Sequence, residues 1–106
     1  KDRSMQQVKL LSADEKLIFS LSGEIDSATS EDFYAHVTAA YEHDKKDVYF
    51  DCAALTFIDS TTLGTFVKLL KKLKTDGHAM VLDKVRPNVK KLFEICALDT
   101  IMEIRQ

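Results

Sequence analysis

An acid followed by three hydroxyl residues, Asp59, Ser60, Thr61 and Thr62, sits between two apolar runs in the stretch TFIDSTTLGTF at 56–66. Side chains of these types at the start of a helix support three kinds of chemistry. One oxygen caps a free backbone N–H of the first turn, a contribution on the order of 1 kcal/mol. A serine acts as a nucleophile if a base lies within hydrogen-bond reach. A hydroxyl there also accepts phosphate favourably, because the added charge meets the positive end of the helix dipole and several unpaired N–H donors. Capping accounts for one or two of the four residues. Neither Thr61 nor Thr62 is a good helix former, so the run exceeds what a cap needs.

The nucleophile reading finds no base. His36 and His43 fall within or at the end of one helical segment and His78 begins a strand, so no histidine is placed at the carboxyl end of a strand. FIDSTTLG lacks the GxSxG elbow, and Gly23, Gly64 and Gly77 form neither a phosphate loop nor a dinucleotide fingerprint. Cys52 and Cys96 lie in apolar segments without a CxxC or a histidine at ligand spacing, and read as reduced, buried thiols. No catalytic residue, metal site or cofactor is expected.

The elements that must position this turn follow from periodicity. QQVKLL and then Leu17, Phe19 and Leu21 alternating with Ile18, Ser20 and Ser22 predict two strands joined at 12–15. Phe33, Val37, Ala40 and Tyr41 predict a helix from about 29 to 43. VYFD predicts a short central strand from Val48 to Asp51 or Cys52, buried on both faces. Leu63, Phe66, Val67, Leu70 and Leu73 recur at helical spacing, with Lys68, Lys71, Lys72 and Lys74 largely elsewhere around the helix. Gly77 stops that helix and HAMVLDKV follows as a strand. Pro87 opens a last helix with Val89, Leu92, Phe93 and Cys96 inward, and DTIMEI supplies a final short strand or extended tail. The order β-β-α-β-α-β-α-(β) implies an α/β domain: a mixed sheet with helices packed against it and later strands parallel. Sites in such sheets form in the turns after the carboxyl ends of strands, where both SGEIDSATS and the hydroxyl run fall.

With 106 residues, 45% hydrophobic and 30% charged, the chain has room for one domain, assigned to 5–106. Residues 1–4 read as an expression remnant or disordered N-terminus ahead of Met5. A net charge of −2 argues against direct nucleic-acid binding, and no apolar run is long enough for a membrane span. A cytoplasmic location is the expectation. Arg86, Lys90 and Lys91, like the lysine run of 71–74, read most simply as solvated helix faces.

GEID at 23–26, FIDSTTLG at 57–64 and VRPNVKKLFEICALDTIMEI at 85–104 together resemble the STAS domain, and within it the small bacterial anti-sigma-factor antagonists. The likeness runs from about Val8 to Ile104. It implies that Ser60, directly after Asp59, is phosphorylated by an anti-sigma factor that is also a serine kinase, an ATPase of histidine-kinase-like fold. It implies a partner-binding surface of Asp26, Ser27, Asp59, Thr61, Thr62, Gly64, Lys68 and Lys71, with Asp26 beside Ser60. The unphosphorylated form would bind the anti-sigma factor and free the sigma factor, and a PP2C-type phosphatase would reset the switch. Thr62 departs from the glycine usual in the family; it restricts the backbone, adds bulk and is in principle, with Thr61, a competing phosphoacceptor. The same group also contains unphosphorylated adaptors, such as the small subunit of a lipid-transporting ABC complex, for which the turn would be a static docking surface. A nucleotide-binding module is a third reading, without a phosphate loop to support it.

Overall fold

In the computed structural model, which describes residues 6–106, Leu17, Phe19 and Leu21 are buried on one side of strand β2 (Leu17–Ile25). Ile18, Ser20 and Ser22 lie half-exposed on the other, as their alternation requires. Strand β1 (Val8–Ser12) pairs antiparallel with β2 as the predicted hairpin. Helix α1 (Ser30–His43), strand β3 (Val48–Ile58), helix α2 (Ser60–Thr75), strand β4 (Met80–Asp83), helix α3 (Pro87–Ile95), a 3-10 turn (Leu98–Thr100) and strand β5 (Glu103–Ile104) follow. The sheet order is β1-β2-β3-β4-β5, with every pair after the hairpin parallel. The α/β class and element order are those expected from the sequence. Residues 1–4 and Met5 lie outside the described residues.

Phenylalanines tie the layers together. Phe19 of β2, Phe33 of α1, Phe50 of β3, Phe66 of α2 and Phe93 of α3 are buried in a connected set of rings with centroids 5.2–5.8 Å apart. The spacing is that of favourable offset and edge-to-face aromatic pairs. All three helices therefore seat on the sheet face that carries Phe50. The opposite face is not covered in this way. Tyr49 and Asp51 are half-exposed there, and the Lys16 ammonium sits 4.1 Å above the Tyr49 ring. The expectation that β3 is buried on both faces is thus corrected: Val48, Phe50 and Cys52 are inside and their neighbours are not.

β3 is also longer than the sequence suggests, running to Ile58. Its register against β2 shifts twice: Ser20 and Ser22 face Asp51 and Ala54, and Gly23 and Glu24 face Leu55 and Phe57. Each shift inserts an extra residue into β3, which breaks the alternation by which a strand is recognised. Two consecutive exposed pairs result, Ala53–Ala54 and Thr56–Phe57. β4 pairs with β3 only through Asp51, because the chain turns away after Asp83. Beyond that point, the Arg86 Nε donates to the Ala53 carbonyl at 2.9 Å and the Asn88 side-chain amide to the Thr56 carbonyl at 3.0 Å. These side chains supply the partners a neighbouring strand would have given. Arg86 is therefore a sheet-edge residue and not simply a solvated one.

α2 ends as expected. Gly77 adopts a φ of 81°, the His78 N–H bonds the Leu73 carbonyl at 2.8 Å, and the Gly77 N–H bonds the Lys74 carbonyl at 3.0 Å. That pair satisfies carbonyls the last turn leaves free. Of the cysteines, Cys52 is buried, and burial pushes its thiol up to about 12. Cys96 is exposed at the C-cap of α3, a correction to its inward placement, because the helix has ended where the periodicity would carry it inside. Truncating the central ring by Phe66→Ala should lower the unfolding free energy by about 3–5 kcal/mol. Ile95→Ala, at a position 70% exposed, should change it by less than about 0.5 kcal/mol. Urea denaturation of both variants checks the pair.

Candidate functional site

β2 and β3 finish side by side, with Ile25 opposite Ile58 and both fully buried. The loops that leave them therefore begin next to each other. Asp59, in an extended conformation, is the N-cap of α2. Its Oδ1 accepts the Thr62 N–H at 3.0 Å, and its Oδ2 accepts the Ser27 N–H of the neighbouring loop at 2.8 Å. One carboxylate thus satisfies a first-turn donor of α2 and pins the loop between β2 and α1. The Thr62 N–H holds the Asp59 carboxyl below the usual range, with the Ser27 N–H adding to the effect.

Thr62 is fully buried. Its Oγ1 lies 2.6 Å from the Ile25 carbonyl and 3.1 Å from the Asp59 Oδ1. The single hydroxyl proton goes to the nearer carbonyl, which joins the end of β2 to the first turn of α2. Thr62 is consequently neither an accessible phosphoacceptor nor a side chain that a partner can touch, in contrast to what its type and place in the sequence suggest. Where the resemblance leads one to expect glycine, this chain has an internal fastening.

The other expected site residues divide by exposure. Ser60 is the first residue of α2 and is exposed, and no side-chain hydrogen bond holds it among the described residues. Ser27, Thr61, Gly64, Lys68 and Lys71 are also exposed. Asp26 is half-buried and engaged in its own turn: Oδ1 accepts the Ala28 N–H at 3.0 Å, and the Asp26 N–H donates to the Thr29 Oγ1 at 3.0 Å. The Ser27–Asp59 bond brings that turn against the head of α2. On the lysine face, Lys68 reaches over the Tyr34 ring with its ammonium 4.4 Å from the centroid, and Lys72 is paired with Glu42. The basic face is therefore narrower than a count of its lysines implies.

None of the histidines joins this cluster. The His36 Nδ1 lies 2.9 Å from the Asp32 carbonyl along α1, His43 closes that helix, and the His78 Nδ1 stands 3.3 Å from the Asp47 Oδ1 ahead of β4, which begins at Met80 and not at His78 as expected. Two residues next to the turn were not singled out from the sequence. Thr56 donates its hydroxyl to the Gly23 carbonyl at 3.0 Å, and Phe57 is 45% exposed just before the turn. The signal for both was the break in alternation, legible only with the register of β2.

A family model for the STAS domain matches residues 7–106. An anti-sigma-B factor antagonist of Staphylococcus aureus is 28% identical over 86 residues, covering 81% of this chain and 80% of that protein. The structure of the anti-sigma factor antagonist SpoIIAA in its unphosphorylated form superposes with a TM-score of 0.80 at 21% identity, covering 93% of this chain and 88% of that one. A putative anti-sigma factor antagonist from Thermotoga maritima gives a TM-score of 0.82 at 22% identity, covering 93% and 84%. At these identities the structural likeness speaks for the fold.

Two measurements test the fastening. Thr62→Val keeps the shape but leaves the Ile25 carbonyl without its donor, and should cost about 1–3 kcal/mol in urea denaturation. Because folding lowers the Asp59 pKa from 3.8, its contribution is complete above that value and fades as pH falls through the lower folded one. The gap in urea midpoint between wild type and Asp59→Asn should therefore be widest near neutrality and narrow below about pH 4.

Proposed function

The chain belongs to the STAS-domain family, and from that premise we propose that it is an anti-sigma-factor antagonist switched by phosphorylation of Ser60. The observation that carries the reading is the contrast at the head of α2. Ser60 is outward and free of side-chain hydrogen bonds among the described residues, while Asp59 and Thr62 on either side are committed to holding the turn. A hydroxyl so placed is available for transfer of a phosphoryl group without dismantling its support. The name borne by the Staphylococcus aureus relative supports the same class of role.

The partner is an anti-sigma factor that is itself a serine kinase, an ATPase of histidine-kinase-like fold, and a PP2C-type phosphatase removes the mark. Ser27 and Thr61 next to Ser60, and Gly64, Lys68 and Lys71 farther along α2, make up the surface the partner meets, with Asp26 and Asp59 setting its shape. Thr62 contributes from beneath, by keeping the two loops together. Phosphorylation places roughly −1.5 to −2 charges at the first residue of the helix. The helix N-terminus accommodates that charge, so the fold is retained. The Asp59 carboxylate and acidic groups of the partner oppose it, which weakens the complex by local electrostatics.

Incubation with the kinase-like ATPase encoded beside the gene, with ATP and Mg²⁺, followed by mass spectrometry, tests the proposal. A single phosphate on Ser60, absent from Ser60→Ala, is the expected result. Thr62 should stay unmodified. The phosphorylated protein should bind that ATPase at least about 10-fold more weakly than the unmodified one, as a misplaced interfacial charge implies. Phosphate at another position, or a stable complex with no phosphate, would overturn the switch and favour a static docking module.

A further inference from the structure

Gly64 lies in the interior of α2, one turn after Ser60, on the exposed side of the helix. Glycine weakens a helix at such a position, since it leaves the unfolded chain more freedom and adds no side chain to the folded one. The reasons that normally account for a helical glycine do not apply. Its φ is not positive, unlike those of Gly23 and Gly77. A Cβ added at Gly64 would meet nothing within 4 Å, so neither α1 nor the sheet needs the space. Nor does it end the helix, which continues to Thr75.

Ser60, Gly64, Lys68, Lys71 and Lys74 recur at spacings of four and three, which puts them along one stripe of α2. Lys68 is drawn to the Tyr34 ring and Lys72, off the stripe, to Glu42. Lys71 and Lys74 are exposed and have no charged partner among the described residues. The stripe thus presents a hydroxyl, then a bare stretch of backbone, then unpaired positive charge.

We infer that Gly64 is the point where the main chain of an acidic segment of the partner crosses α2, with its carboxylates reaching Lys71 and Lys74. This rests on the antagonist reading and specifies how the partner docks. The absent side chain lets two backbones approach, and the lysines select a segment of negative charge. Because Ser60 lies four residues before Gly64, about 6 Å along the axis, a phosphate on Ser60 stands at the head of the same stripe, beside the crossing point.

The test uses Gly64→Ala and the double variant Lys71→Glu/Lys74→Glu, with the neighbouring kinase-like ATPase as the binding probe. Gly64→Ala should raise Tm by about 4 °C, the gain expected for a better helix former, and weaken binding about 10-fold or more by blocking close approach. A merely structural glycine would not give that opposed pair of effects. The double variant should also bind more weakly, with a shallower dependence on salt. If wild type binds and Gly64→Ala binds equally well, the crossing point is wrong and the antagonist reading stands. A lowered Tm in Gly64→Ala overturns the inference by showing that the fold itself requires glycine. Unchanged affinity in the double variant overturns the acidic segment. If wild type does not bind the ATPase at all, the antagonist reading fails, and this inference with it.

Discussion

The site depends on one carboxylate that serves two loops. Parallel strands ending at Ile25 and Ile58 bring two departing chains to the same place, each with backbone donors that its own element cannot satisfy. The Asp59 Oδ1 takes one from α2 and its Oδ2 takes one from the loop at Ser27. Thr62 completes the arrangement by giving its proton back to the Ile25 carbonyl. The consequence for Ser60 is positional. With Asp59 and Thr62 turned inward to these tasks, Ser60 and Thr61 remain outside at the head of the helix.

That arrangement needs β3 to deliver Asp59 to the right place, and β3 is not a simple strand. Two added residues bend it and increase its local twist, as bulges near functional turns commonly do. Its second half lacks β4 as a neighbour, so Arg86 and Asn88 at the entrance to α3 take the vacant carbonyls. The last helix thereby contributes to the site without touching it. Below, the phenylalanine cluster links α1, α2 and α3 to β2 and β3, so the turn rests on a packed core.

α2 is divided lengthwise between two roles. Leu63, Phe66, Leu69, Leu70 and Leu73 are buried, while Ser60, Gly64, Lys68 and Lys71 form the outward side. The buried stripe fixes the rotation of the helix, and that rotation decides which polar residues face solvent. Thr65 shows how strict the division is. It is buried, and its hydroxyl finds a partner in the Thr61 carbonyl at 3.1 Å along its own helix.

Much of this was determined by the sequence itself, wherever the governing interaction is local. The alternation in β2, the three-and-four spacing in α2, the left-handed glycine at Gly77 and Pro87 at the start of α3 each act within one turn or one pleat. The element order and the placing of the hydroxyl run after a strand follow from these. The second half of β3 was not legible, because its bulges exist only relative to β2 and they erase the period-two pattern in β3 alone. Cys96 misled for a related reason: its spacing continues a stripe past the point where the helix has stopped. Thr62 is the plainest case. In the sequence it is one of three adjacent hydroxyls, and only the tertiary structure separates it from Ser60, since its partner is a carbonyl 37 residues away and the clamp on Asp59 comes from 32. A side chain's exposure in a turn is set by what the rest of the chain brings to it, and no local window contains that.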